Sequence, residues 1–131
     1  MPHQGFPRCF RLLNAGDYRY VFEQADLKVH GKGIMALARR NTLGHPRLGL
    51  VVSKKNVKLA VDRNRFKRLV RESVRLRQDQ LPAVDIVVLA RRGVQDMDND
   101  VLYRQLHGMW KRLRRDSQAD NALPASSKHT T

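Results

Sequence analysis

From Asp62 to Glu72 the chain reads Asp-Arg-Asn-Arg-Phe-Lys-Arg-Leu-Val-Arg-Glu, and a helix is the structure that reconciles so many charges with the apolar residues among them. Advancing about 100° per residue from Phe66 puts Leu69, Val70, Ser73 and Val74 on its side, with Asn64, Lys67, Arg68, Arg71 and Arg75 opposite. One face is therefore core and the other cationic. A charge run is ordinarily only a solvated face, yet Glu72 alone offsets seven Lys and Arg between Arg63 and Arg77. Intrahelical ion pairing cannot account for that excess. Cations at fixed helical spacing suit a phosphate backbone, and arginine adds a planar fork of donors for its oxygens.

The whole chain leans the same way. Its 131 residues carry 26 Lys and Arg against 12 Asp and Glu, a formal charge of +14 that a polyanion would neutralise. Nucleic acid is the expected partner. With 41% hydrophobic residues the chain folds rather than remaining a basic tail, and its length allows one domain with a modest core. No apolar run reaches the roughly 20 residues of a spanning helix, and Met1-Pro2-His3-Gln4-Gly5 lacks an apolar signal core. The expectation is a cytoplasmic protein with no membrane contact. Cys9 has no disulfide partner and reads as an incidental thiol.

Residues 1–13 read as an extended arm, 14–115 as a single RNA-binding domain, and 116–131, rich in Ser, Ala, Asn and Thr, as a disordered tail. Asn14 offers an N-cap for a helix over Ala15–Gln24, with Tyr18, Val21, Phe22 and Ala25 as its apolar stripe and Asp17 near the positive end of the dipole. Leu27–His30 and Ile34–Arg39 form a hairpin across Gly31-Lys32-Gly33. Arg47–Ser53 and Asp85–Arg91 read as buried strands on either side of the basic helix. A last helix runs from Asn99 to Arg115 with Val101, Leu102, Leu106, Met109, Trp110 and Leu113 inward. The order is α-β-β-β-α-β-α, an α+β sandwich with helices on one face of a small sheet and the other face partly open. Such a face on a basic protein suits a single strand of nucleic acid.

No catalytic constellation stands out. The five histidines are scattered, and no His-Glu-x-x-His or Cys pair suggests zinc. Asp96, Asp98 and Asp100 lack the remaining spacing of a calcium loop and read as helix-capping carboxylates. No glycine-rich phosphate loop is present in the sequence. By its own residues the chain is a binder with neither catalytic nor metal-ligating residues. Tyr18 and Phe22, four apart on a helix, read from spacing alone as a core pair.

Arg63-Asn64-Arg65-Phe66-Lys67-Arg68-Leu69-Val70-Arg71 closely resembles the Arg-Asn-Arg signature of the bacterial ribonuclease P protein family. Gly44–Val57 is similar to that family's third strand and following turn, Asp85–Arg91 to its fourth strand, and Asp17–Phe22 to its first, aromatic-bearing helix. The likeness runs in order from about Arg8 to Arg115.

The resemblance implies a four-stranded sheet with a left-handed βαβ crossover, the ribosomal protein S5 domain 2-like type, where physical expectation alone favours a right-handed one. It also implies a protein subunit that helps a catalytic RNA remove the 5′ leader of precursor tRNA, with Mg2+ held mainly by that RNA. Lys54, Lys55, Arg63, Asn64, Arg65, Lys67, Arg68 and Arg71 would meet the catalytic RNA. Tyr18 and Phe22 would line a cleft for the leader, which outranks the core reading of that pair. Some relatives carry an aromatic on the second strand where this chain has Leu37 and Ala38. The partners implied are the catalytic RNA and precursor tRNA, with no obligate protein partner. Two other classes compete: a ribosomal or assembly protein that binds RNA without assisting cleavage, and an autonomous metal-dependent nuclease, which would need clustered carboxylates.

Overall fold

The computed structural model describes residues 11, 12 and 15–122, the side chains of 119–122 excepted. The expected cap at Asn14, the Cys9 thiol, most of the arm and residues 123–131 lie outside that range. Three helices and four strands follow in the expected order: α1 (Ala15–Gln24), β1 (Leu27–Gly31), β2 (Ile34–Arg40), β3 (Arg47–Val51), α2 (Ala60–Arg77), β4 (Val84–Ala90) and α3 (Asn99–Ala122). A short 3-10 turn, Val94–Asp96, precedes α3. The sheet order is β1-β2-β4-β3. β2 is antiparallel to both its neighbours, and β3 runs parallel to β4 through the crossover helix α2.

Period-two alternation divides the sheet into two faces. Leu27, Val29, Ile34, Ala36, Ala38, Leu48, Ile86, Val88 and Ala90 point to the main core, where they meet Phe66, Leu69, Val70 and Val74 of α2 and Leu102, Leu106, Met109 and Leu113 of α3. Each Val, Leu, Ile, Phe or Met side chain so taken from water contributes about 1.5–3 kcal/mol before entropy is counted. The buried residues of α2 are Phe66, Leu69, Val70, Ser73 and Val74, the side its periodicity selects. Ser73 belongs there because its hydroxyl accepts the Trp110 indole N–H at 2.7 Å, a buried bond that ties α2 to α3. An unpaired indole N–H in that place would cost about 1–3 kcal/mol.

The placement of the helices differs from expectation. α2 and α3 share one face, but α1 lies on the other, where Val21 packs with Leu12, Leu37 and Val87. The cause is in the strands: β2 and β4 are apolar on both faces, and a strand of that kind needs cover on both. α3 also continues to Ala122 rather than stopping at Arg115, so residues 116–122 of the expected tail are helical. Ser117 is buried there, and its carbonyl accepts Arg40 Nη2 at 3.4 Å. A polar contact to β2 thus holds the helix where it runs past the end of its apolar period.

β3 is an edge strand, yet its outer edge is occupied. Leu12 N–H donates to Leu48 O at 3.0 Å, and the Tyr18 hydroxyl accepts the Leu50 N–H at 3.1 Å.

Candidate nucleic-acid interface

The basic helix does not present its cations equally. Asn64, Arg68 and Arg71 are exposed and Lys67 half-exposed on the face away from the core. Arg63 turns back instead, donating from Nη1 to Val57 O at 3.0 Å and Lys58 O at 2.8 Å. It thereby holds the loop entering α2, whose N-cap Leu59 supplies no side-chain acceptor. Arg65 donates to Asn99 Oδ1 at 2.8 Å and Gln95 O at 3.2 Å, bracing α2 against the start of α3. Arg75 is ion-paired with Glu72, which raises its pKa further. Of the eight residues the resemblance assigns to RNA contact, two are thus engaged within the protein. Six remain outward: Lys54, Lys55, Asn64, Lys67, Arg68 and Arg71.

Lys54 and Lys55 stand exposed in the turn after β3. Asn56 fixes that turn to the sheet by donating from Nδ2 to Ala90 O at 3.1 Å, while Ser53 Oγ accepts the Asn56 N–H at 3.2 Å. The end of β4 therefore lies beside it and brings two arginines that the sequence reading did not single out. Arg91 and Arg92, both exposed, line an open cavity of about 630 Å³ with Lys55 and Asn56 at the β1–β2 turn. Arg92, Lys55 and Lys58 line a neighbouring one of about 540 Å³. A basic shelf thus runs from the hairpin turn to the start of α2. In sequence, Arg91 and Arg92 look only like the end of a strand, and no local pattern marks them.

On the α1 face, a cross-strand row of His30, Met35, Leu89 and Val51 stays partly open beside the helix. α1 itself is clamped at both ends by arginines of the sheet. Arg39 donates to Gln24 O at 3.0 Å and stacks 5.2 Å from the Tyr20 ring centre, within cation–π range. Arg47 forms a bidentate pair with Asp85, at 2.9 and 2.7 Å, and reaches Asp17 of α1 at 4.0 Å. That hydrogen bond is the main reason its pKa is raised. Asp85, 5% exposed, also accepts Asn41 Nδ2 at 2.9 Å.

The expected aromatic pair is split by this arrangement. Tyr18 is half-buried, its hydroxyl committed to β3 and its ring so close to Gly49 that a Cβ there would sit 2.7 Å from it. Phe22 leaves the apolar stripe and is 44% exposed, since the sheet beneath α1 accommodates Val21. Leu37 is buried under α1 and Ala38 faces the main core, so neither presents an exposed platform. Asp98 Oδ1 accepts the Val101 N–H at 2.9 Å, the capping role its spacing suggests. Among the described residues no group of His, Cys, Asp or Glu side chains is placed to hold a metal ion, and no helix is long and apolar enough to cross a membrane.

Comparison with known proteins agrees with this architecture. A family model described as Ribonuclease P matches residues 6–114. The chain is 67% identical over 127 residues to the ribonuclease P protein component of Chromohalobacter salexigens, covering 97% of this chain and 99% of that one. It is 48% identical to the component from Pseudomonas aeruginosa, covering 98% and 99%. Among solved structures, the Staphylococcus aureus RNase P protein matches with a TM-score of 0.72 at 29% identity, over 78% of this chain and 93% of that chain. The Thermotoga maritima protein matches at 0.70 with 30% identity, over 78% and 96%. The chain belongs to the bacterial ribonuclease P protein family, whose members are the protein subunit of a tRNA-processing ribonucleoprotein endoribonuclease in which the RNA carries the catalysis.

Proposed function

We propose that α2 and the basic shelf dock on the catalytic RNA while the 5′ leader of precursor tRNA lies along the partly open sheet face beside α1. The observation that carries this reading is the separation of two surfaces by the sheet: outward Asn64, Lys67, Arg68 and Arg71 on α2, and exposed Phe22 above an apolar strip on the other face. Lys54, Lys55, Arg91 and Arg92 join them at the end of the sheet. Cations there neutralise phosphates and release counterions, lowering the repulsion between two RNAs brought to one place. An aromatic face accepts any base, which suits leaders of differing sequence.

The chain's contribution is charge and position, with no side chain acting as acid or base. On this reading magnesium belongs with the RNA subunit, while Asp98 of this chain caps the start of α3. The protein reduces the magnesium the assembly needs by supplying positive charge of its own. Aligning the scissile phosphate is where a rate benefit arises. The site of action is the cytoplasm, where tRNA precursors are made.

Reconstitution of precursor-tRNA cleavage decides the matter. Cleavage at low magnesium should need both the cognate RNA and this chain. Leader removal by the purified protein after digestion of all RNA would refute the assignment of roles.

A further inference from the structure

The seam between α2 and α3, on the side of the molecule away from the sheet, has features the proposed RNA and leader surfaces do not use. Leu76 stands 62% exposed there, beside half-buried Tyr103. Together with Arg77, Arg104 and His107 they line a cavity of about 540 Å³. Through Arg77 and His107 it continues into a smaller recess flanked by Lys111 and Arg114. Tyr103, Arg104, His107, Lys111 and Arg114 recur at helical spacing along one side of α3, with about 10 Å between Arg104 and Lys111.

The charge along this seam is not balanced. Arg77, Arg104, Lys111 and Arg114 enter no ion pair among the described residues. Glu72 on the wall is already held by Arg75. His107 titrates below the ordinary imidazole value, first through burial and then through the charges of Arg77 and Lys111. An apolar floor with a tyrosine and an imidazole, rimmed by cations, is the combination that takes bases on aromatic faces and phosphates on the rim.

We propose that the α2–α3 seam is a second RNA-binding groove, occupied by an unpaired segment of the catalytic RNA. Charge complementarity selects RNA over a protein segment. Position selects the catalytic RNA over the leader, since α1 and the leader surface lie across the sheet while Leu76 and Glu72 flank the cationic face of α2. An RNA docked on Arg68 and Arg71 continues around α2 into the seam. The inference rests on the reading of α2 as an RNA-binding face and extends it to a residue set that the Arg-Asn-Arg signature does not contain.

The test uses the full chain and three variants: Arg104→Ala/Lys111→Ala/Arg114→Ala, Tyr103→Ala, and Lys67→Ala/Arg68→Ala for the α2 face. Affinity for the catalytic RNA alone, for precursor tRNA alone and for mature tRNA alone is measured across a salt series. The seam triple should lower the salt slope for the catalytic RNA by about two units, the value for three single-strand phosphate contacts. Tyr103→Ala should weaken that binding about tenfold, a single stacking contact. The preference for precursors with a leader over mature tRNA should not change. In an otherwise unaltered chain, a photo-crosslinker replacing Leu76 should label a discrete RNA segment, which keeps the test decisive if the triple variant folds poorly. An unchanged slope in a normally melting triple, losses confined to precursor tRNA, or crosslinks only to protein would each overturn the proposal. If Lys67→Ala/Arg68→Ala also leaves binding intact, the reading of α2 fails with it; if that pair weakens binding and the seam does not, the seam alone fails.

Discussion

The family resemblance assigns Arg65 and Arg68 alike to RNA contact, and the structure gives them different surroundings, Arg65 bonded within the protein and Arg68 exposed. Replacing Arg65 by alanine removes bonds to Asn99 Oδ1 at 2.8 Å and Gln95 O at 3.2 Å. A bond from a charged donor is worth about 1.5–3 kcal/mol when buried, and exposure of both bonds brings each to about 0.5–1 kcal/mol. The loss of about 1–2 kcal/mol corresponds to about 4–7 °C in melting temperature for a chain of this length. Arg68→Ala removes no such bond, so its stability should stay within about 0.5 kcal/mol of the parent. Its effect should appear in binding, as a fall of just under one unit in the salt slope for the catalytic RNA. Thermal melts followed by circular dichroism, with filter binding at several potassium concentrations, read both quantities on the same samples. If Arg65→Ala melts like the parent yet lowers the slope as much as Arg68→Ala, Arg65 swings to a phosphate in the complex and its internal bonds carry no weight.

Three further outcomes are expected. Phe22→Ala should weaken binding of leader-bearing precursor about tenfold or more relative to mature tRNA with an unchanged melt, whereas Tyr18→Phe, which strips the Leu50 N–H of its acceptor, should lower the melt by about 3 °C and spare leader preference. Ser73→Ala should cost about 1–3 kcal/mol by orphaning the Trp110 indole N–H, measured by denaturant unfolding, and Ser73→Thr should recover part of it. Because His107 is held below its ordinary value, the unfolded chain binds its proton more readily, so this group favours folding above about pH 6.5 and its contribution declines as pH falls below that. Phosphates brought to the seam should move its midpoint upward, followed by nuclear magnetic resonance with a short single-stranded RNA.

How far the fold was readable depended on how much of the signal was local. The buried side of α2 follows from spacing because eighteen residues of helix give the 3.6 period room to declare itself. α1 is short, with Val21 its only fully buried residue, so the period could not tell that Phe22 points to solvent or that the helix lies across the sheet from α2. The division of labour among the arginines was out of reach for a different reason. Arg63 is held by the carbonyls of Val57 and Lys58, and Arg65 by Gln95 O and an asparagine brought near only by the fold. Backbone acceptors leave no trace in a side-chain pattern. Arg91 and Arg92 were missed likewise, since their value comes from Asn56 pinning a lysine-bearing turn against the end of β4.

The covered edge of β3 bears on whether two copies of such a chain can pair strand to strand. An open strand edge is a template on which a second copy can add a strand, and a protein free of its RNA would be exposed to that hazard. Here Leu12 and the Tyr18 hydroxyl occupy groups on that edge from within the same chain. The residue that helps seat α1 on the sheet therefore also occupies part of the edge on which a second copy could add a strand, so losing its hydroxyl would both loosen the helix and open that edge.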